Sequence, residues 1–375
     1  MSQDSAAPQA DQVRAALARV MDPELRRPIT ELGMLESVEV TGSRAEIGVL
    51  LTVAGCPLKD TIEADVRREL AALPGLTDVD VKLGVMSPEA RRALVDSLKR
   101  HVVPFTQPDS LTRVIAIASG KGGVGKSSVT VNLAAALAAR GLSVGIIDAD
   151  VLGFSVPGLM SLSDASPTRV DELIVPPVAH GVKVMSIGMF LADNAPVMWR
   201  GPMLHRALEQ FVTEVHFGDL DVLLLDLPPG TGDVAISVSQ LLPGTEQIVV
   251  TTPQHAAAEV AERAGSMALS TGQSVLGVVE NMSWMELPDG TRLTPFGEGG
   301  GAEVAARLSA VAGHDVPLLA QLPLDPALRE GGDDGVPVVV GGPGTAAAAA
   351  LGALADRIAV RPRGLAGRSL GITPR

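Results

Sequence analysis

The sequence predicts an α/β chain in two parts: a doubly wound, mostly parallel sheet preceded by a small α+β domain. Three observations carry this. From Arg113 onward, short apolar bursts rich in Val, Ile and Leu recur without strict alternation, the signature of parallel strands buried on both faces. Longer helical stretches separate most of these bursts, which is the order of a doubly wound sheet. Ahead of them, Pro104, Thr106, Gln107, Pro108 and Asp109 have the composition of a linker.

The small domain spans residues 1–100. Its first helix is expected from Asp11 to Met21, ending before Pro23 because the residue preceding a proline is pushed out of the helical region. Strands follow over Leu35–Val40 and Arg44–Val53, split by a turn at Thr41–Ser43. A helix over Leu58–Leu73, a strand over Thr77–Val85 and a helix over Pro88–Lys99 complete it, and residues 101–112 form the linker. In the second domain, residues 113–360, strands are expected at Val114–Ala118, Val144–Ile147, Val184–Ile187, Val222–Leu225, Gln247–Val250, Val275–Val279 and Pro317–Leu322. Helices are expected at Lys126–Arg140, Met203–Val215 and His255–Ser270. Residues 361–375, with four arginines, no acid and several Gly and Pro, read as a flexible tail.

Composition narrows the function. The 375 residues carry a formal net charge of −13, which argues against a nucleic-acid-binding body, since neutralising phosphates needs clustered Lys and Arg. No apolar run approaches the ~18 residues that span a bilayer, so no stable membrane association is expected. The N-terminus has neither a positive stretch nor an apolar one, as a cytoplasmic chain would. A single cysteine, Cys56, excludes an internal disulfide and an internal cysteine cage. The six histidines show no metal-binding spacing.

The strongest motif follows the first burst. Gly120-Lys121-Gly122-Gly123-Val124-Gly125-Lys126-Ser127 fits G-x-x-x-x-G-K-[ST], the P-loop of an NTPase domain. Glycines let backbone N–H groups turn inward around a polyphosphate, with the positive end of the next helix behind it. Lys126 would reach the β- and γ-phosphates, and the Ser127 hydroxyl would ligate Mg²⁺. The chain has only six lysines and two are here, so an incidental glycine-rich turn is a poor account. The nucleotide-contacting set is Gly120, Lys121, Gly122, Gly123, Val124, Gly125, Lys126, Ser127 and Ser128.

Carboxylates appear where such a site needs them. Asp148-Ala149-Asp150 ends the second burst; Asp150 is the candidate for orienting an attacking water and Asp148 for supporting Mg²⁺ through water. Asp221–Asp226 is an apolar strand closing on an acid, a Walker B pattern in which Asp226 would hold the Mg²⁺ hydration shell. Gly230, in the loop that follows, could sense the γ-phosphate. Singly, an Asp at a strand end is commonly a helix cap; three in series behind a phosphate loop point to a metal–nucleotide site.

Lys121, directly after the first glycine, resembles the signature lysine of deviant Walker A ATPases. In that class it crosses a nucleotide-sandwich dimer to the partner's phosphates; a solvated lysine beside the loop is the alternative. Residues 113–343 are further similar to the Mrp family of that class, through Asp148–Gly153, Val197–Met203, Asp226–Asp233, Gly277–Ser283, Phe296–Gly300 and Pro323–Gly332. The first hundred residues resemble the small MIP18-like domain fused to many bacterial members, through Asp22–Leu25, Leu32–Met34 and Gly55–Pro57. The resemblance implies ATP hydrolysis by a homodimer, and binding and transfer of a [4Fe–4S] cluster to apo iron–sulfur proteins or assembly factors. It also implies Asn281 and the Pro323–Asp325 turn near the adenine.

The chain departs from that pattern in one place. Many members carry C-x-x-C between the Asn-Met-Ser and Phe-Gly-Glu-Gly-Gly segments; here the stretch is Trp284–Arg292, without cysteine and with Pro288-Asp289-Gly290 as a turn. Four thiolates are the usual cluster ligands, and a dimer of this chain has two. Cys56, before an expected helix, is either a thiolate ligand with a lowered pKa or a small buried hydrophobe. Two further readings therefore stand beside the carrier: an ATP-switched adaptor without its own cluster, and a partition- or septum-positioning ATPase.

Overall fold

The computed structural model describes residues 8–359, apart from 26, 54–57, 99–102, 108, 151–152, 171–172, 191–200 and 288. The chain divides into two compact units: Met1–Lys99 with Thr168–Pro176 and Glu214–Gly218, and the remainder.

In the small unit the order is α1 (Ala10–Leu17), β1 (Leu35–Thr41), β2 (Arg44–Leu51), α2 (Lys59–Ala71), β3 (Asp78–Val85) and α3 (Pro88–Leu98). β1 and β2 pair antiparallel, and β2 and β3 parallel. Ala45, Ile47, Val49 and Leu51 alternate onto the buried face of β2, and Ile62, Val66 and Leu70 form a stripe one turn apart on α2. Full burial of each large side chain in that stripe stabilises the unit by about 1.5–3 kcal/mol. Helix α1 is shorter than its apolar spacing predicts. It stops at Leu17, and Met21 instead forms an antiparallel bridge with Pro28.

The large unit opens with β4 (Arg113–Ser119), α4 (Lys126–Ala139), β5 (Val144–Asp148) and the one-turn α5 (Val156–Leu159). The next two strands, β6 (Thr168–Val170) and β7 (Leu173–Val175), form a hairpin that belongs to the small unit, and Val170, Leu173 and Val175 lie in that unit's core. Strands of three residues are too short to carry a period-2 signal. The chain continues with β8 (Val178–Ala179), β9 (Val182–Ser186), α6 (Gly201–Glu214), β10 (Val222–Asp226), α7 (Asp233–Leu241), β11 (Glu246–Thr251), α8 (His255–Ser270) and β12 (Ser274–Glu280). A two-residue hairpin, β13 (Met285–Glu286) and β14 (Arg292–Leu293), precedes α9 (Gly300–Ala312), β15 (Leu318–Gln321), α10 (Pro326–Asp333), α11 (Val338–Gly341) and α12 (Ala346–Ala359).

The main sheet has the order β15-β12-β11-β4-β10-β5-β9-β8. All of its pairings are parallel except β8 on β9 at one edge. Every residue of β5, β9 and β10 is buried, as two-faced burial requires. Helix α4 is buried from Val129 through Leu137, and it packs against α12. From β4 the chain passes to β5 on one side, and from β10 to β11 on the other. The carboxyl ends of β4 and β10 therefore flank the switch point, where doubly wound sheets bind ligands. No helix of the described residues is long and apolar enough to cross a membrane.

Candidate nucleotide site

The glycine-rich segment occupies that switch point, as the loop between Ser119 at the end of β4 and Lys126 at the start of α4. Gly125 is the N-cap of α4 with φ +80°, a left-handed conformation, and a Cβ there would lie 2.3 Å from Asn281 Nδ2. At Gly120 a Cβ would meet the Val260 backbone carbon at 2.2 Å, so the loop also needs glycine to pass α8. Gly122 and Gly123 are exposed, Val124 is buried, and Lys121, Ser127 and Ser128 are half-buried.

Behind the loop the charges gather. Lys126 is 5% exposed, and its Nζ lies 2.7 Å from Asp226 Oδ2. The Ser127 hydroxyl donates to the same Oδ2 at 2.6 Å. The Thr130 hydroxyl, one turn further along α4, lies 2.6 Å from Asp226 Oδ1. The Asp226 carboxylate is thus fully buried between an ammonium and two hydroxyls. Its register partner across the sheet is Asp148. Asp148 accepts from the Asp150 N–H at 3.1 Å and from the Ser186 hydroxyl at 3.1 Å. Burial, and next the charge of Asp226, push its carboxyl up to about 8.

The remaining sequence-predicted residues follow the carboxyl ends of the sheet's strands. Asp150 is buried and accepts the Gly153 N–H at 3.1 Å. Gly230 donates its N–H to the Ser119 carbonyl at 2.8 Å, tying the loop after β10 to the end of β4. Lys121 Nζ donates to Gln254 Oε1 at 3.0 Å. Asn281 donates Nδ2 to the Val124 carbonyl at 2.9 Å, while its Oδ1 is buried without a partner. Ser283 N–H donates to the Leu322 carbonyl and Leu324 N–H to the Trp284 carbonyl, which brings the Asn281 and Pro323–Asp325 segments side by side. Asp325 caps α10 through Oδ1 on the Ala327 N–H and reaches the Ala347 N–H through Oδ2.

This arrangement fits a nucleotide carrying its own cation. A hydroxyl and a carboxylate are the hard oxygen donors that Mg²⁺ takes, and an Mg²⁺ bound with phosphates needs only one or two protein ligands. That is compatible with the described residues, which hold no cluster of three or more metal-ligating side chains.

Residues 110–359 match the family described as NUBPL iron-transfer P-loop NTPase. The chain belongs to this family. Residues 10–83 also match the family described as iron–sulfur cluster assembly protein. A protein of Mycobacterium tuberculosis named iron–sulfur cluster carrier protein is 60% identical over 368 residues, covering 96% of each chain. One of the same name from Synechocystis is 40% identical over 356 residues, covering 93% of this chain and 96% of its own. Among solved structures, a nucleotide-binding protein of Archaeoglobus fulgidus in complex with ADP aligns with a TM-score of 0.52 at 39% identity, over 60% of this chain and 87% of that one.

As a NUBPL-type P-loop NTPase, the chain is a nucleotide-binding protein, and its glycine-rich loop lies at the switch point of the sheet. The stretch in which the resemblance to the Mrp family leads to the expectation of C-x-x-C is here the β13–β14 hairpin. Met285 pairs with Leu293 and Glu286 with Arg292; Leu287 accepts the Gly290 N–H across the turn, and the Arg292 guanidinium lies 4.7 Å from the centre of the Trp284 ring. Pro288 and Cys56 lie outside the described residues.

Three side chains at the site escaped the sequence reading: Thr130, Ser186 and Gln254. Helical periodicity could have found Thr130, which sits four residues after Lys126 on the same face. Ser186 and Gln254 are adjacent to the site only through the strand order.

Proposed function

We propose that this NTPase binds MgATP on the Gly120–Ser128 loop, hydrolyses it as a homodimer in the cytoplasm, and uses the cycle to bind iron–sulfur clusters and pass them to apo iron–sulfur proteins. The observation that carries the nucleotide half is the buried cluster of Lys126, Ser127 and Asp226 at the switch point. Without nucleotide, Lys126 neutralises Asp226; polyphosphate gives the ammonium a stronger partner, and the freed Oδ2 then takes a share in holding Mg²⁺ with Ser127. When bound, Mg²⁺ neutralises charge on the phosphate oxygens. The unpartnered Asn281 Oδ1 can accept from an adenine amine. Asp150 orients the attacking water, Asp148 supports the cation through water, and Gly230 links the γ-phosphate to the loop after β10. Lys121, released from Gln254, stabilises the charge developing on the partner's phosphates.

The cargo half is supported by the two family matches and by relatives named iron–sulfur cluster carrier proteins along nearly the full chain. That full-length likeness does not favour a partition- or septum-positioning role. A bridging cluster here has at most one thiolate per chain, from Cys56, so its other ligands are not cysteines of this protein. Anaerobic reconstitution of the full chain with iron and sulfide, read by visible absorption, tests the reading. The wild-type dimer takes up a cluster and Cys56→Ser does not; a wild type that holds no cluster, with or without ATP, overturns the carrier in favour of an ATP-switched adaptor.

A further inference from the structure

The three groups around Asp226 do not have the same future once a nucleotide arrives. On the reading above, Lys126 and Ser127, which both hold Oδ2, turn toward phosphate and cation. The Thr130 hydroxyl holds the other oxygen, Oδ1, from within α4, and Thr130 is fully buried. It has one hydrogen and two acceptors in reach, Asp226 Oδ1 at 2.6 Å and the Lys126 carbonyl at 3.0 Å. The carbonyl sits four residues back, where it is positioned to take the Thr130 N–H as a helix bond. The shorter, charge-assisted contact to the carboxylate is the stronger of the two, so the Thr130 hydroxyl donates to Asp226 Oδ1.

We propose that Thr130 is a positioning residue for the metal–nucleotide site: its hydroxyl fixes Oδ1 so that Oδ2 of Asp226 alone faces the Mg²⁺ carried by the nucleotide. This rests on the nucleotide reading. A carboxylate with both oxygens free rotates about its side-chain torsion and spreads its charge away from the cation. One anchored on a buried helix hydroxyl presents a single oxygen without reorganising. The anchor lies outside the G-x-x-x-x-G-K-[ST] pattern, and its hydroxyl reaches Asp226 Oδ1 and the Lys126 carbonyl.

The test is calorimetric titration of the full-length protein with ATP, once in EDTA and once in excess Mg²⁺, for wild type, Thr130→Val, Thr130→Ala and Thr130→Ser. Thr130→Val keeps the shape and removes the hydroxyl. It is expected to lose about tenfold of the tightening that Mg²⁺ gives, while affinity in EDTA stays within about twofold. Thr130→Ser restores the hydroxyl and the Mg²⁺ response. Should Thr130→Val fail to give a cooperative melt, Thr130→Ala against Thr130→Ser makes the same comparison. Equal losses in EDTA and Mg²⁺ would mean that Thr130 only shapes the loop, and an unchanged Mg²⁺ response would mean that Asp226 needs no anchor; either overturns the inference. A wild type that binds no adenine nucleotide in either buffer instead sinks the nucleotide reading itself.

Discussion

Strands β10 and β5 lie side by side and end on aspartates at the same level of the sheet, yet the two carboxyls live in opposite conditions. Asp226 is clamped by the Lys126 ammonium and two hydroxyls. Asp148, equally buried, has one backbone N–H and one hydroxyl, and its neighbour's negative charge adds to the penalty of burial. The first is held by an ion pair and two donors, whereas burial and the neighbouring charge favour the protonated form of the second. An apolar run closing on Asp is one signal in the sequence, but what the carboxyl does depends on which cation the fold delivers to it.

The sharpest way to break this contrast is to take the cation away. Lys126→Ala leaves Asp226 as a buried carboxylate without a counter-charge. We expect a loss of about 3–5 kcal/mol in unfolding free energy near neutral pH, because removing one member of a buried pair strands the other. ATP affinity should fall by two orders of magnitude or more in the same variant, since on the proposed function it also removes the ammonium that meets the phosphates. Urea unfolding and calorimetry read the two effects separately. A variant as stable as wild type would show that the Lys126–Asp226 pair contributes nothing net to the fold.

Much of this arrangement is written in the chain itself. The phosphate loop is local in sequence: its glycines, its lysines and the strand and helix on either side fall within one stretch, so fold and motif are read together. The central strands are legible because burial on both faces leaves an unbroken apolar run. The environments of the carboxyls are another matter. Thr130 reaches Asp226, and Ser186 reaches Asp148, only because β10 threads between β4 and β5 and β9 follows on the far side. Strand order is a long-range property, and no window of sequence contains it. The Thr168–Val175 hairpin was illegible for a related reason: its three-residue strands are stabilised by the core of the small unit, whose other members lie far away in the chain.

Proton linkage gives the second prediction. Because the Asp148 carboxyl is raised from 3.8 to about 8 in the folded protein, the native state holds a proton between those values that the unfolded chain has released. Stability contributed by this group therefore falls as pH rises through that window, at up to about 1.4 kcal/mol per pH unit, and levels off above the folded value. Asp148→Asn, close in shape and never charged, should lack that slope. Between pH 5.5 and 8 the wild type is expected to lose up to about 3 kcal/mol more than the variant, measured by urea unfolding without nucleotide. Parallel pH profiles for the two proteins would mean that the Asp148 carboxyl is not raised by its surroundings.

The smallest effect concerns what little does favour charge on Asp148. The Ser186 hydroxyl donates to its Oδ2 at 3.1 Å and accepts the Gly188 N–H at 3.1 Å. That donation favours the ionised form. Ser186→Ala should therefore cost about 1 kcal/mol at pH 6, chiefly through the stranded N–H, and more at pH 9, where the carboxylate loses a donor it needs. It should also move the Asp148 transition to higher pH, opposite to the effect expected of a new cation nearby. Denaturant unfolding at the two pH values decides the matter. A cost that does not grow with pH would mean that Ser186 serves only the turn after β9, and that Asp148 owes its proton to burial and Asp226 alone.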